Sequence, residues 1–357
     1  MVTATAACAA GAAAAIAVPA TAATATARVP RGLLAMATSW TTAQRGIVLA
    51  YPSMNAGAKP YLFETGNGGR TWQSLTAPPV TYPPDHDQPD VTWVGGVIAA
   101  TDGTHIVATR NTGKHWSAER LAGVSGSFDV AQLVIASGRL FALVTTPKSA
   151  AVYSGTAQSG VLRAVPGVSI PGTYTYGSIS TQGTLQVDLG ADYTAERYWY
   201  SRNGTAFVKA PLPCPAPTVA FLGGVRSGKV TALCTDPPST VGLGETDGRL
   251  SIAPRLGGTF AASGPVFDLP NPIEFAAASA QDMTVATGGD IMVTSNAGKS
   301  WTAQLAQPNG PFWNDLAFPT ATTGVIVCST LNNSSKFVGT VYRTTNAGRT
   351  WKALTLP

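Results

Sequence analysis

The segment Asp85-His86-Asp87-Gln88-Pro89-Asp90 places three carboxylates and an imidazole within six residues. Oxygen-rich side chains at this density suit a hard cation such as Ca2+ better than zinc. The surrounding prolines of APPVTYPPDHDQPD, residues 77–90, also fit a stiff acidic surface loop. Other reactive groupings are sparse. The three histidines, His86, His105 and His115, do not make a zinc-type set, and no Gly-x-Ser-x-Gly turn occurs. The five glutamates are Glu64, Glu119, Glu196, Glu245 and Glu274, and Glu196 has Tyr193 and Tyr198 near it. No catalytic constellation emerges. No metal and no cofactor are assigned, and the loop stands as a candidate ligand contact through Asp85, His86, Asp87 and Asp90.

What must position these groups is a repeat. Thr-x-Asn-x-Gly-x-Ser/Thr-Trp occurs around Asn67, Gly69 and Trp72, around Asn296, Gly298 and Trp301, and around Asn346, Gly348 and Trp351. A fourth copy around Asn111, Gly113 and Trp116 has His115 in place of the hydroxyl residue. An asparagine side-chain oxygen can accept backbone N–H bonds in a tight turn. The glycine supplies a positive φ, and the tryptophan a large apolar surface beside the turn. The motif therefore reads as a hairpin staple with its tryptophan facing inward, not as a reaction centre.

Three weaker copies fill the gap: Ser154 to Val161, Ser201 to Phe207 with Asn203 and a Phe207 anchor, and Thr246-Asp247-Gly248-Arg249-Leu250. The anchors then fall at 72, 116, 161, 207, 250, 301 and 351, spaced by 43–51 residues. Within the last unit, FWNDLAF, GVIVCST, FVGTVYRT and TWKALTL read as four strands. The predicted fold is all-β: a seven-bladed β-propeller of four-stranded antiparallel blades over residues 29–357, with the repeated turn between strands three and four.

Residues 1–28 are almost entirely Ala and Thr. They are expected to be a signal segment cleaved before Arg28, or a tether, with Thr5-Ala6-Ala7-Cys8 as a poor lipid-attachment sequence. The Pro19-broken stretch does not suit a transmembrane helix. Cys214 and Cys234 flank a predicted hairpin and could meet at its open end in an oxidising compartment, while Cys328 reads as a core residue. The net charge of +5 is spread thinly, without a dense basic patch, so no nucleic-acid partner is expected. Arg70, Arg110, Lys114, Arg202, Arg249, Lys299, Arg343 and Arg349 lie in or beside the turns. They form a basic rim that either steers an anionic partner or is simply solvated.

The turn resembles the Asp-box, or BNR, repeat of the sialidase superfamily, with Asn where Asp is usual. Length and blade number resemble the photosystem II assembly and stability factor family and its bacterial relatives. That resemblance implies an exported, monomeric, non-catalytic scaffold binding a protein or polysaccharide of the cell envelope, with a peripheral membrane or lipid anchor as an option. The alternative is a sialidase-like glycoside hydrolase, for which Arg28-Val29-Pro30 resembles the carboxylate-gripping Arg-Ile-Pro motif. That resemblance would also require a Tyr/Glu pair and several arginines to converge.

Overall fold

In a computed structural model, the structure describes residue 30 and residues 32–83, 89–192, 195–215, 218–236, 245–270, 274–306, 312–331 and 337–357. The chain divides into Met1–Pro30 and Arg31–Pro357, and all described residues except Pro30 fall in the second unit. Arg28, Asp85, His86 and Asp87 lie outside the described residues.

No helix occurs among the described residues. Short apolar runs punctuated by Gly, Pro and Asn form strands instead, as such runs should. The first sheet is β1 (Leu34–Trp40), β2 (Gly46–Tyr51), β3 (Tyr61–Thr65) and β4 (Gln73–Leu75). Next come β5 (Asp90–Val94), β6 (Val97–Thr101), β7 (Ile106–Thr109) and β8 (Ser117–Leu121), then β9 (Asp129–Ala136), β10 (Arg139–Thr146), β11 (Ser149–Gly155) and β12 (Val161–Pro171). A fourth set is β13 (Thr175–Ser180), β14 (Leu185–Ala191), β15 (Ala195–Ser201) and β16 (Val208–Ala210). A fifth is β17 (Val219–Arg226), β18 (Lys229–Thr235), β19 (Glu245–Ala253) and β20 (Ala261–Pro270). The last two are β21 (Glu274–Ala277), β22 (Met283–Ala286), β23 (Asp290–Thr294) and β24 (Thr302–Ala306), and β25 (Phe312–Ala317), β26 (Gly324–Leu331), β27 (Phe337–Thr344) and β28 (Lys352–Leu354).

Each set is a meander of antiparallel neighbours in chain order. Five form separate four-stranded sheets, and the second and third sets join into one eight-stranded sheet. The join is a short parallel pairing of their last strands, Val161 with Arg120 and Leu162 with Leu121. The sequence gives no sign of it, because the two strands belong to neighbouring units. Central strands such as β2 and β14 are buried along their whole length, while β4, β16 and β28 are largely exposed. Each sheet therefore buries both faces against its neighbours and leaves a short outer edge in solvent. The first sheet also packs on the last. The Thr38 amide bonds Asp315 at 2.6 Å, and the Trp72 indole N–H bonds the Thr355 carbonyl at 3.0 Å. Both terminal sheets are made of their own consecutive strands, so side chains rather than an exchanged strand close the succession.

The repeated turn has a more detailed logic than the sequence reading gave it. Asn67, Asn111, Asn296 and Asn346 each accept the backbone N–H four residues on, at 2.9–3.0 Å. The leading threonines matter as much. Thr65, Thr109, Thr294 and Thr344 are fully buried, and each Oγ1 accepts the N–H of Gly69, Gly113, Gly298 or Gly348 at 2.9–3.3 Å. These glycines have φ of +80° to +90°. The residue before each is left-handed too, including Thr112, Ala297 and Ala347 at +57° to +59°. That conformation is uncommon for residues with a Cβ. Here it turns the N–H toward the loop joining strands one and two of the same sheet, as in Ala347 to the Thr322 carbonyl at 2.8 Å. Thr344→Val should therefore lower stability by about 1–3 kcal/mol, because it leaves the buried amide of Gly348 and the half-buried amide of Asn346 short of an acceptor. Thr344→Ser should retain most of it, and urea unfolding midpoints would separate the two.

Two expectations change. Trp72, Trp116, Trp301 and Trp351 are half-buried rather than fully inward. Three of them reach the preceding set or, for the first, the last: Trp72 bonds the Thr355 carbonyl, Trp116 bonds the Thr76 carbonyl at 3.2 Å, and Trp301 stacks on Phe267 of β20. Thr246 to Leu250 is not a turn but lies within β19. The fifth set turns instead at 254–260, where Ala253-Pro-Arg-Leu-Gly257-Gly-Thr259-Phe260 aligns with the motif, Gly257 at φ +72° and Phe260 in the anchor position. Asp247-Gly248 misleads because Gly248 serves a close approach: Leu269 and Phe267 of β20 occupy the space its side chain would need.

The Cys214 and Cys234 sulfurs are bonded, with 5.5 Å between Cα atoms, next to the open end of the β17–β18 hairpin. Cys328 is buried and free.

Candidate functional site: the axial cavity

The innermost strands β1, β5, β9, β13, β17, β21 and β25 stand side by side around a cavity of about 370 Å3. They form no hydrogen-bonded ladder with one another. Their facing backbone groups still need partners, and side chains supply them. At every junction a polar side chain of one set reaches the inner-strand backbone of the next. Ser39 accepts from the Trp93 amide at 3.0 Å, and Asp90 from Leu133 at 2.6 Å. Gln132 bonds both the amide and the carbonyl of Ile179, at 2.7 and 3.0 Å. Glu196, from the third strand of its set, accepts from Ala220 at 3.1 Å. Arg226 donates to the Ala277 carbonyl at 3.2 Å. Glu274 accepts from the amides of Asp315 and Leu316, and Asp315 from Thr38.

Three of these clamps are carboxyls that converge on the cavity wall: Asp90, Glu274 and Asp315. Burial in the protein mass pushes Asp90 up to about 6 and Glu274 up to about 8, the latter helped by the Asp90 charge. Asp315 rises well above its ordinary range, by burial first and then by the charges of Asp90 and Glu274. Its backbone is left-handed, φ +55°, where the β25–β26 register shifts between Asn314 and Ala317. Such a bulge re-aims a side chain, and this one aims Asp315 into the junction with β1.

The cavity has two chemical ends. Asp90 and Glu274 are the first residues of β5 and β21. Arg226 is the last residue of β17 and bonds Ala277, the last of β21. Three residues of strand separate the Glu274 and Ala277 positions, roughly 10 Å. The acidic end is the one entered from the connection that precedes Asp90. Of the four loop candidates Asp85, His86, Asp87 and Asp90, only Asp90 is described. It is a cavity clamp rather than part of a loop cluster.

Among the described lining residues there is one arginine, Arg226, and no tyrosine. Tyr198 and Glu196 do lie on one face of β15, but that face looks into the interior between the fourth and fifth sets, not into the cavity. The basic rim is partly tied down. Arg110 bonds the Ala157 carbonyl at 2.7 Å, Arg343 the Ala43 carbonyl at 2.9 Å, and Arg349 pairs with Asp282 at 2.9 Å. These are bridges to neighbouring sets. Glu274, Asp315 and Arg226 were not singled out from sequence. The available signal was one or two polar residues inside an otherwise apolar run, as in VAQLVI, FWNDLAF and PIEFAAA.

No family model matches the chain, and no curated protein does. Solved structures do. YCF48 bound to D1 peptide is similar with a TM-score of 0.54 and 14% identity, over 85% of this chain and 92% of that one. An ulvan lyase of polysaccharide lyase family PL25 is similar with a TM-score of 0.54 and 9% identity, over 91% and 95%. The β-propeller domain of the Trilobed protease from Pyrococcus furiosus is similar with a TM-score of 0.50 and 9% identity, over 91% and 99%. At these identities the likeness is one of fold: this chain is an all-β protein of propeller-like architecture, built of antiparallel four-stranded units.

Proposed function

We propose that the chain is a non-catalytic recognition scaffold, a seven-bladed propeller with Asp-box-type turns, exported to the cell envelope. There it binds a protein or glycan partner at the acidic end of its axial cavity. The observation that carries this reading is the convergence of Asp90, Glu274 and Asp315 with each carboxyl already engaged by backbone amides. Groups fixed in this way offer a shaped acidic surface that becomes charged when a cation docks beside it. The seven inner strands support the blade number, and the Cys214–Cys234 disulfide supports an oxidising compartment. An acidic mouth favours a protein partner presenting a lysine- or arginine-rich segment over a glycan. The peptide bound by YCF48 and the sugar chemistry of the ulvan lyase show only that similar folds serve both classes. A sialidase-like reading would need several arginines and a Tyr/Glu pair at the cavity, and the described lining does not bring them together.

Binding a cation beside Glu274, Asp315 and Asp90 favours their charged forms, so it must expel protons. Affinity for a labelled Lys/Arg-rich peptide should therefore rise from pH 6 to pH 8.5, by up to about tenfold per pH unit for one released proton. Fluorescence anisotropy with basic, neutral and acidic peptides of one length would measure it. Glu274→Gln should remove most of the pH dependence. Equal binding of all three peptides, or turnover of a fluorogenic sialoside lost in Arg28→Ala, would overturn the reading.

A further inference from the structure

Beside the cavity, the face of the fourth set that looks toward the fifth carries a second polar group of side chains. Register places Ser178, Asp188 and Tyr198 in one row across β13, β14 and β15. Opposite residues in such a row have Cβ atoms about 5 Å apart. Glu196 lies diagonal to Asp188 on the same face, opposite Gly190. Asp188 is only 1% exposed, and neither of its oxygens has a hydrogen-bond partner. Ser178 Oγ and Glu196 Oε2 are buried and unpartnered as well. The one hydroxyl that could have served Asp188 is committed elsewhere, since Tyr198 donates to Gln186 Oε1 at 2.7 Å. The other atom of that amide, Gln186 Nε2, is a buried donor without an acceptor, on a residue that is fully buried.

Three carboxylate oxygens that no donor reaches, beside a serine hydroxyl that makes no hydrogen bond, are costly in a protein interior. Protons alone do not resolve the arrangement, because protonating both carboxyls still leaves the Gln186 amide unpaired. A hydrated metal ion resolves all five atoms. Its charge answers the carboxylates and the serine oxygen, and the oxygen of a coordinated water accepts from Gln186 Nε2. We propose that the interface between the fourth and fifth sets binds a hard, oxygen-coordinated divalent cation of the Ca2+ type, held by Asp188, Glu196 and Ser178. The donor set is all oxygen, which selects against zinc. With two carboxylates the affinity should fall in the range of extracellular calcium modules, about 10⁻⁴–10⁻³ M. Ser178 also lines the axial cavity, which gives the ion a way in. Glu196 already clamps the Ala220 amide of the fifth set through its other oxygen, so an ion here would brace the same junction. This inference does not depend on what the cavity recognises.

Terbium, a luminescent substitute for calcium, reports the site directly, because Tyr198 lies beside Asp188 and can sensitise it. On chelator-stripped full-length protein, the expected result is saturable tyrosine-sensitised luminescence of one ion per chain, displaced by Ca2+. It should weaken at least tenfold in Asp188→Asn and persist in Glu274→Gln, which alters the cavity carboxyls instead. Ca2+ should also raise the thermal midpoint of the unmodified chain and not that of Asp188→Asn. Should Asp188→Asn not fold, Glu196→Gln serves as the test and should likewise weaken binding. Absence of saturable luminescence, luminescence lost only in Glu274→Gln, or a Ca2+ shift unchanged in Asp188→Asn and Glu196→Gln would overturn the proposal.

Discussion

Arg226→Ala is expected to destabilise the protein by about 3 kcal/mol, since hydrogen bonds from a charged donor contribute roughly 1.5–3 kcal/mol each. The guanidinium spans four of the strand sets. It leaves the end of β17, donates to the Ala277 carbonyl at the end of β21 and to the Phe318 carbonyl after β25, and reaches Gln182 Oε1 near β13 at 3.3 Å. Removing it strips donors from two backbone carbonyls, one of them on the cavity-lining Phe318, and takes away the cavity's one described arginine. Arg226→Lys should not rescue, because an ammonium cannot present donors in the same fork. Urea unfolding would test this. A loss below about 1 kcal/mol, the worth of one ordinary hydrogen bond, would show that the sheets do not depend on this bridge.

The second large effect is a loss of stability with rising pH. Asp90, Glu274 and Asp315 all have folded-state values raised above their unfolded ones. A carboxyl of that kind contributes fully below its unfolded value near 4 and loses its contribution as pH climbs through the folded value. The window therefore opens near pH 4.5 and extends through about 6 for Asp90 and about 8 for Glu274. Glu274 alone, raised from 4.5 to about 8, should cost about 2 kcal/mol across it once screening by cavity water is allowed for. The thermal midpoint should fall by several degrees between pH 5 and pH 9. Glu274→Gln should flatten that slope while keeping an acceptor for the Asp315 and Leu316 amides. A midpoint that rises from pH 5 to pH 9 would contradict the assignment of these carboxyls as desolvated clamps.

Local chemistry carried much of the architecture into plain view. Thr344, Asn346, Gly348 and Trp351 act within eight residues, and every bond that makes the turn closes inside that span or onto the adjoining loop. A pattern of this kind is legible because its geometry depends on near neighbours. The same locality explains the misplaced fifth turn. Asp247-Gly248 has turn chemistry, but the side chains of β20 pressed against Gly248 hold it in a strand, while Ala253 to Phe260 lacks the asparagine that would have marked it.

The cavity was a different problem. Asp90, Glu274 and Asp315 are far apart in the chain, and each by itself looks like a stray acid in an apolar run. They meet only because the first and last sheets pack together and bring β5, β21 and β25 around one axis. Their raised protonation ranges, like the orphaned oxygens of Asp188, come from burial by segments far away in sequence. By itself the sequence determined the repeat, the strands and the chemistry of the turn, since hydrogen bonds across a few residues are set locally. Only the tertiary structure decided which polar side chains line the axis and which are sealed between sheets, because desolvation and charge proximity exist only once distant strands are side by side.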